Sequence, residues 1–236
     1  MARRKPEDII ALVDAHYNAT EPLRQRMEDD HAIYRLTPYD AGEGYQSYTS
    51  NEPQTFADKV MGWVSNAEMT VRIPHGGSDR KVREKNDLKE RFLIGVLRSA
   101  DERLCNMMLP PLRDQLAWYS TLRGWYAGRA LLAKRDDGST YVDITPWDPL
   151  NTYWETGADG LEWACYKVAK TKAQIQTQYR IKLDDMNDRD GEGVVVYDFY
   201  DKEMNTIIVH NGRMDRPIFR SCLLYTSDAA DDLLCV

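Results

Sequence analysis

Two aspartates, Asp143 and Asp148, lie in "YVDITPWDPLNTYWETG" as the kind of paired acids that a metal-dependent nuclease uses to hold a divalent ion and activate water. No lysine or third acid lies beside them to complete the set. Asp143 alternates with Val142 and Ile144 along a strand, so the residues alone read it as an acid facing solvent. Asp148 sits between Trp147 and Pro149, where an aspartate accepts local backbone hydrogen bonds and holds a turn. The histidines His16, His31, His75 and His210 are far apart, and none has a second histidine or cysteine at metal-ligand spacing. They read as surface or capping residues. "DDMNDRDGEG" suggests a calcium loop, but counted from Asp185 its fifth position is Arg189, its sixth Asp190 and its twelfth Val196, where oxygen ligands and a glycine are needed. No phosphate loop, nucleophile elbow or paired-histidine zinc motif occurs in the sequence. The sequence therefore assigns no catalytic, cofactor-binding or metal-binding residue. Tyr141, Trp147, Tyr153, Trp154 and Trp163 could stack on bases, but they lack the interleaved basic residues of a nucleic-acid groove. Packing in a core or interface is the preferred role for these rings.

The elements that would position these residues divide the chain in two. Helices are predicted over 6–18 and 22–36, with Pro22 in a first turn. An aromatic loop, "LTPYDAGEGYQSYTSNEP", follows, and then a short helix after Pro53 carrying Phe56, Val60, Met61 and Val64. Ala67 to Pro74 reads as a strand. From Ser78, an N-cap, to Leu109 runs a helix about 45 Å long. Its apolar stripe joins Leu88, Phe92 and Val96 to Leu93, Leu97, Ala100, Leu104 and Met108, and it ends at Pro110-Pro111. The charged start of this helix, with Arg80 four residues before Glu84 and Arg83 before Asp87, reads as a solvated face. Leu112, Leu116, Tyr119 and Leu122 begin another helix. After Gly124 the pattern turns to strands: "WYAGRALLAK" and "TYVDIT" joined at Asp137-Gly138, then 151–156, 161–168, 193–201 and 205–210. Gly128 permits close approach of a backbone or ring. One helix interrupts the strands, "TKAQIQTQYR", whose Thr171 and Gln174 have capping-box spacing. Asn211-Gly212 predicts a final hairpin turn and a returning arm. The predicted class is α+β, helical over 1–124 and β-rich over 125–220, with an antiparallel meander.

With 236 residues, 42% of them hydrophobic, the chain can bury a substantial core, and its net charge of −7 argues against a tight grip on nucleic-acid phosphates. No apolar stretch is long enough for a bilayer-spanning helix, and "MARRKPED" turns acidic where a signal peptide would turn apolar, so a soluble, non-exported protein is expected. Cys105, Cys165, Cys222 and Cys235 form no CxxC pair and suit a reducing compartment, the first two as small core residues. Residues 222–231, "CLLYTSDAAD", resemble the translation of a transposase mosaic-end adapter from sequencing libraries, which marks 221–236 as a non-native tail. That tail holds three aspartates (Asp228, Asp231 and Asp232) and no base, so the rest of the chain has a net charge of −4.

The order of features is distinctive. A long charged helix precedes "PPLRDQLAWYSTLRGWYAGRALLAKRDDGSTYVDITPWDPLNTYW", then "GLEWACYKVAKTKAQIQTQY", then "GVVVYDFYDKEMNTIIVHNG". This order resembles the amino-terminal part of portal proteins, the head-to-tail connectors of tailed bacteriophages, across most of residues 20–215. The resemblance lies in Gly124 to Lys134, Tyr141 to Pro149, Trp163 to Tyr179 and Val194 to Asp201, and in no catalytic signature. It implies a non-enzymatic virion protein with a wing-like fold, a subunit of a homo-oligomeric ring, dodecameric in the family, at one capsid vertex. It also implies transient passage of double-stranded DNA and docking of terminase, major capsid protein and tail or adaptor proteins, with assembly in the host cytoplasm and no membrane. The channel-lining helices of that family would lie beyond Arg220. Two other readings stay open at this point: a phage nuclease using Asp143 and Asp148 with a divalent metal, and a tail or adaptor protein without DNA passage. "TPWDPLNTYWETG" is expected to be a rigid corner, its prolines restricting the backbone and Trp147, Tyr153 and Trp154 supplying packing area.

Overall fold

The computed structural model describes residues 4–74, 80–134, 137–179, 193–210 and 215–221; for 210 and 215–221 the backbone alone is described. The adapter-like stretch, the Asn211-Gly212 turn, Ser78, His75 and the "DDMNDRDGE" run lie outside them. The chain is α+β, with a helical amino-terminal half followed by an antiparallel meander. No helix among the described residues is long and apolar enough to cross a membrane. Two compact units are present, one formed by Met1–Arg24 with Leu150–Val236, the other by Gln25–Pro149. "TPWDPLNTYWETG" is where the chain leaves one for the other.

The first unit is a five-stranded antiparallel sheet, β3 (Thr152–Gly157), β4 (Gly160–Lys170), β5 (Val194–Asp201), β6 (Met204–His210) and β7 (Asp215–Ser221), paired in chain order. β7 is the expected returning arm and runs through Ser221. Alternation along β5 divides its side chains between two cores. Tyr197 and Phe199 join Tyr153, Trp163, Cys165 and Ile208 beneath Ile9 and Val13 of helix α1 (Pro6–Ala19). Val194 and Val196 join Ile207 and Val209 beneath Ile175 and Tyr179 of helix α6 (Lys172–Tyr179). α6 begins with the predicted capping box: the backbone N–H of Gln174 donates to Thr171 Oγ1 (3.2 Å), and that of Thr171 to Gln174 Oε1 (2.9 Å). Among the described residues of this sheet the buried carboxylate is Asp198, which accepts from Asn205 Nδ2 (2.7 Å) and the Tyr200 hydroxyl (3.3 Å).

The second unit holds most of α2 (Glu21–Tyr34), with α3 (Glu52–Asn66), α4 (Arg80–Asn106), α5 (Leu112–Leu122) and the hairpin β1 (Ala127–Lys134) and β2 (Thr140–Trp147). Asp137 accepts from the Ser139 backbone N–H (2.8 Å), and Gly138 has φ +87°, the left-handed conformation that the Asp-Gly pair predicts. Gly128 lies opposite Pro146, and a Cβ on it would stand 3.0 Å from the Thr145 carbonyl oxygen, so the close approach is to the neighbouring strand's backbone. The loop after α2 is irregular, as expected, with Tyr39, Tyr45 and Tyr48 exposed.

Four expectations are corrected here. Residues 67–74 form no strand, although burial alternates at Val71 and Ile73, because their backbone groups are taken by side chains. The Ile73 N–H donates to Glu90 Oε1 (2.7 Å), and Arg113 donates to the Ala67 carbonyl (2.6 Å). The apolar stripe of α4 is buried in its later half, at Ala100 and Leu104, but inverted in its earlier half: Leu88 and Phe92 are 68% and 63% exposed, while Asn86 and Glu90 are buried. Glu90 is drawn inward by the Ile73 amide and by Arg72 at 3.6 Å. The expected pair of Arg80 with Glu84 does form, at 2.8 Å. Finally, α4 ends at Asn106, ahead of the prolines. The N–H of Met108 donates to the Cys105 carbonyl (2.9 Å) and that of Leu109 to Leu104 (2.9 Å), a Schellman turn with Met108 at φ +58°. α2 ends in the same way, short of residue 36, with Leu36 at φ +54°.

Met108 is 93% exposed and gains nothing from packing to offset its left-handed backbone. Met108→Gly is expected to stabilise the protein by about 0.5–1 kcal/mol in urea unfolding, the backbone relief exceeding the added flexibility of the unfolded chain. A loss of stability would show that the Met108 side chain makes contacts that matter.

Candidate functional site

The hairpin β1–β2 presents one face to the helices of its own unit, and Asp143 lies on that face. It does not face solvent: its side chain is 15% exposed, and this corrects the reading from alternation alone. Arg103, in the last turn of α4, places a guanidinium nitrogen 2.6 Å from Asp143 Oδ1 and donates to the Ile144 carbonyl. Arg129, on the same face of β1, reaches Oδ2 at 3.2 Å, and the Thr145 hydroxyl donates to Oδ1 at 3.4 Å. Two guanidiniums thus share one carboxylate in a largely desolvated place. Asp148 has a separate partner. Arg123 follows α5 and is almost fully buried; its Nε lies 3.3 Å from Asp148 Oδ1 and an Nη 3.4 Å from Oδ2. The same guanidinium donates to the Met27 carbonyl (2.9 Å), and its carbon sits 5.2 Å from the centre of the Trp118 ring.

Each acid of the proposed nuclease pair is therefore neutralised by arginine where it stands. A divalent ion would have to displace these guanidiniums to reach either carboxylate. The structure does not join Asp143 and Asp148 into one site. Among the described residues no three His, Cys, Asp or Glu side chains come together in a way that could hold a metal. A cavity of about 620 Å³ opens between α3 and α5 beside Asp148, lined by Met61, Gly62, Ser65, Asp114, Trp118 and Tyr119 among others.

The histidines and cysteines are also placed by their surroundings. His16, on the last turn of α1, is half-buried with Nδ1 enclosed and without a hydrogen-bond partner, so it is no surface residue. Its ring lies 5.2 Å from Trp154, 5.7 Å from Trp163 and 5.9 Å from Tyr153. Burial lowers its pKa below the usual value, against the opposing pull of Glu155. His31 meets Trp118 edge-on at 5.7 Å. Cys165 is a core residue whose thiol is pushed well up by burial, which makes it a poor nucleophile; Cys105, expected in the core, is exposed. One further charged group ties α1 to its sheet. Lys167 Nζ lies 3.1 Å from Asp14, 5.5 Å from the Tyr17 ring and 5.1 Å from the Tyr197 ring. Burial pulls its pKa down, but hydrogen bonds to Asp14 and Tyr197 and their charges outweigh this and leave it raised.

Of the five aromatic residues between Tyr141 and Trp163, Trp147, Tyr153 and Trp163 are buried, and Tyr141 and Trp154 are half-buried. Trp163 Nε1 donates to Glu155 (2.6 Å), so the rings form structure within the chain and offer no stacked platform. The corner expected at "TPWDPLNTYWETG" is present: β2 ends at buried Trp147, a 3-10 turn spans Pro149–Asn151, and β3 begins at once. Arg103, Arg123 and Arg129 are the residues that reading the sequence missed. Their signal was modest, a cation inside an apolar run in "RLC", "LRGW" and "GRALL", with nothing to say which acid each would meet. No protein-family model matches the chain, and no curated protein matches it.

Two outcomes follow from this arrangement. Asp143→Ala leaves two guanidiniums without their counter-charge and is expected to destabilise the protein by about 2–4 kcal/mol in urea unfolding, whereas a loss below about 0.5 kcal/mol would mark the cluster as a surface pair of little consequence. His16 has a folded pKa below its unfolded value, so the stability it contributes is present above the unfolded pKa and is lost as pH falls through the folded one. Thermal unfolding between pH 7.5 and pH 5 should fall more steeply for the wild type than for His16→Phe; parallel curves would remove His16 from the account.

Proposed function

We propose that this chain is a structural assembly protein, a ring subunit of the portal type that conducts DNA and docks terminase and tail components, and that it carries out no chemical turnover. The observation that carries this reading is apolar surface left uncovered on two helices. On α3, Phe56 and Trp63 are seven residues apart on one face and are 67% and 71% exposed. On α4, Leu88 and Phe92 form a second exposed pair. Scattered apolar residues are ordinary on a protein surface, but large rings aligned at helical spacing mark surfaces that another chain covers. The order of sequence elements supports the portal type in particular, and the arginine-neutralised carboxylates support a scaffold over an enzyme. A net negative charge suits a conduit, because tight phosphate contacts would impede sliding. The nuclease reading has no observation in its favour.

Sedimentation of the purified chain over a range of concentrations tests the association. The wild type is expected to form species larger than a monomer, and the combined variant Phe56→Ser, Trp63→Ser, Leu88→Ser, Phe92→Ser to reduce that association at least about tenfold with its circular dichroism unchanged. A wild type that stays monomeric at every concentration, or a variant that associates as the wild type does, would contradict the proposal.

A further inference from the structure

The hairpin β1–β2 has two edges, and they are not alike. Its register pairs Gly128 with Pro146, Ala130 with Ile144, Leu132 with Val142 and Lys134 with Thr140. The Ile144 carbonyl accepts from Arg103 of α4, so it points away from β1, which makes Ala130–Ile144 a pair that exchanges no ladder hydrogen bonds. Alternation then makes Gly128–Pro146 another such pair, which agrees with proline having no N–H to give. On β2, the outward edge is blunted at Pro146 and capped by Arg103 at Ile144. On β1, the outward N–H and C=O groups belong to Gly128, Ala130, Leu132 and Lys134, all of them exposed residues. Among the described residues β2 is the strand paired with β1. This edge has no proline and no bulge, and its charges are Lys134 at the end of the strand and the inward Arg129, which Asp143 already neutralises.

We infer that the open edge of β1 pairs antiparallel with β1 of a second copy, forming a continuous sheet in the order β2, β1, β1 of the partner, β2 of the partner. The sequence of β1 suits its own copy. With Leu131 on the two-fold axis, Ala130 falls opposite Leu132 and Gly128 opposite Lys134, so every outward group finds a partner and each small side chain faces a large one. No like charges oppose each other: Lys134 meets glycine, while Arg129 is held by Asp143 and falls opposite Ala133. The exposed face of the merged sheet carries Gly128, Ala130, Leu132, Val142, Ile144 and Pro146 from each copy, an apolar continuation of the existing one. A two-stranded ribbon is marginal in water, and two further strands bring the sheet to the size at which such structures hold themselves. A two-fold contact of this kind joins two subunits, or two assemblies, and cannot by itself close a ring, so this inference stands apart from the ring reading.

Hydrogen exchange tests it in the four-serine variant described above, where the helix faces no longer drive association. On concentrating that protein, exchange of the Gly128, Ala130, Leu132 and Lys134 amides should slow at least about tenfold, while the outward Val142 amide is unchanged. Ala130→Pro removes one outward N–H at a position equivalent to the one Pro146 occupies in β2, and should abolish the effect. Ala130→Lys keeps every amide but brings its ammonium near Lys134 of the partner subunit, and should abolish it too, which covers the case in which proline unfolds the hairpin. The inference is overturned if these four amides exchange at the same rate at every concentration, or if Ala130→Lys leaves the protection intact.

Discussion

A two-stranded hairpin does not hold itself in water, and β1–β2 is held in its unit by a carboxylate between two arginines. Asp143 draws Arg103 from α4 and Arg129 from β1 onto one face of the ribbon. Arg103 also covers the β2 edge at Ile144. That attachment decides what remains: one ribbon face turns to the helices, the other to solvent, and the edge of β1 is left open. The same pairing occupies the Asp143 carboxylate, which a divalent ion would have to take from two guanidiniums.

Elsewhere in that unit the constraint works through Glu90. By accepting the Ile73 amide it turns the polar side of early α4 inward and leaves Leu88 and Phe92 outside. Burial of an acid in place of two large apolar side chains is costly in an isolated chain. It becomes reasonable where the outward side is covered by another protein. The exposed rings of α3 point the same way, so the apolar surface of this unit reads as unfinished burial.

What could be read from the sequence was local. The Asp137-Gly138 turn, the Thr171–Gln174 capping box and the corner at Trp147–Pro149 each depend on residues a few positions apart, the strands of the β3 to β6 meander on the pattern within each run, and all are present. Most of the misplaced features involve partners distant in sequence. Arg103 and Asp143 are forty positions apart, and alternation along β2 cannot say that a helix supplies a cation. Val71 and Ile73 alternate as a strand would, but a strand needs a neighbouring ladder, and Glu90 and Arg113 took the backbone groups instead. Periodicity along α4 identified an apolar stripe without saying which half had a neighbour. The proline pair suggested where that helix must have stopped, while the hydrogen bonds of Met108 and Leu109 stop it sooner.

The central claim is that the surfaces left open here are made for copies of the same chain and for other virion parts, with no reaction performed by this polypeptide. Electron microscopy of the purified protein at assembly concentrations tests it most directly. The account predicts closed rings of uniform diameter in class averages. Isolated single subunits throughout, in a preparation whose circular dichroism shows it folded, would contradict it.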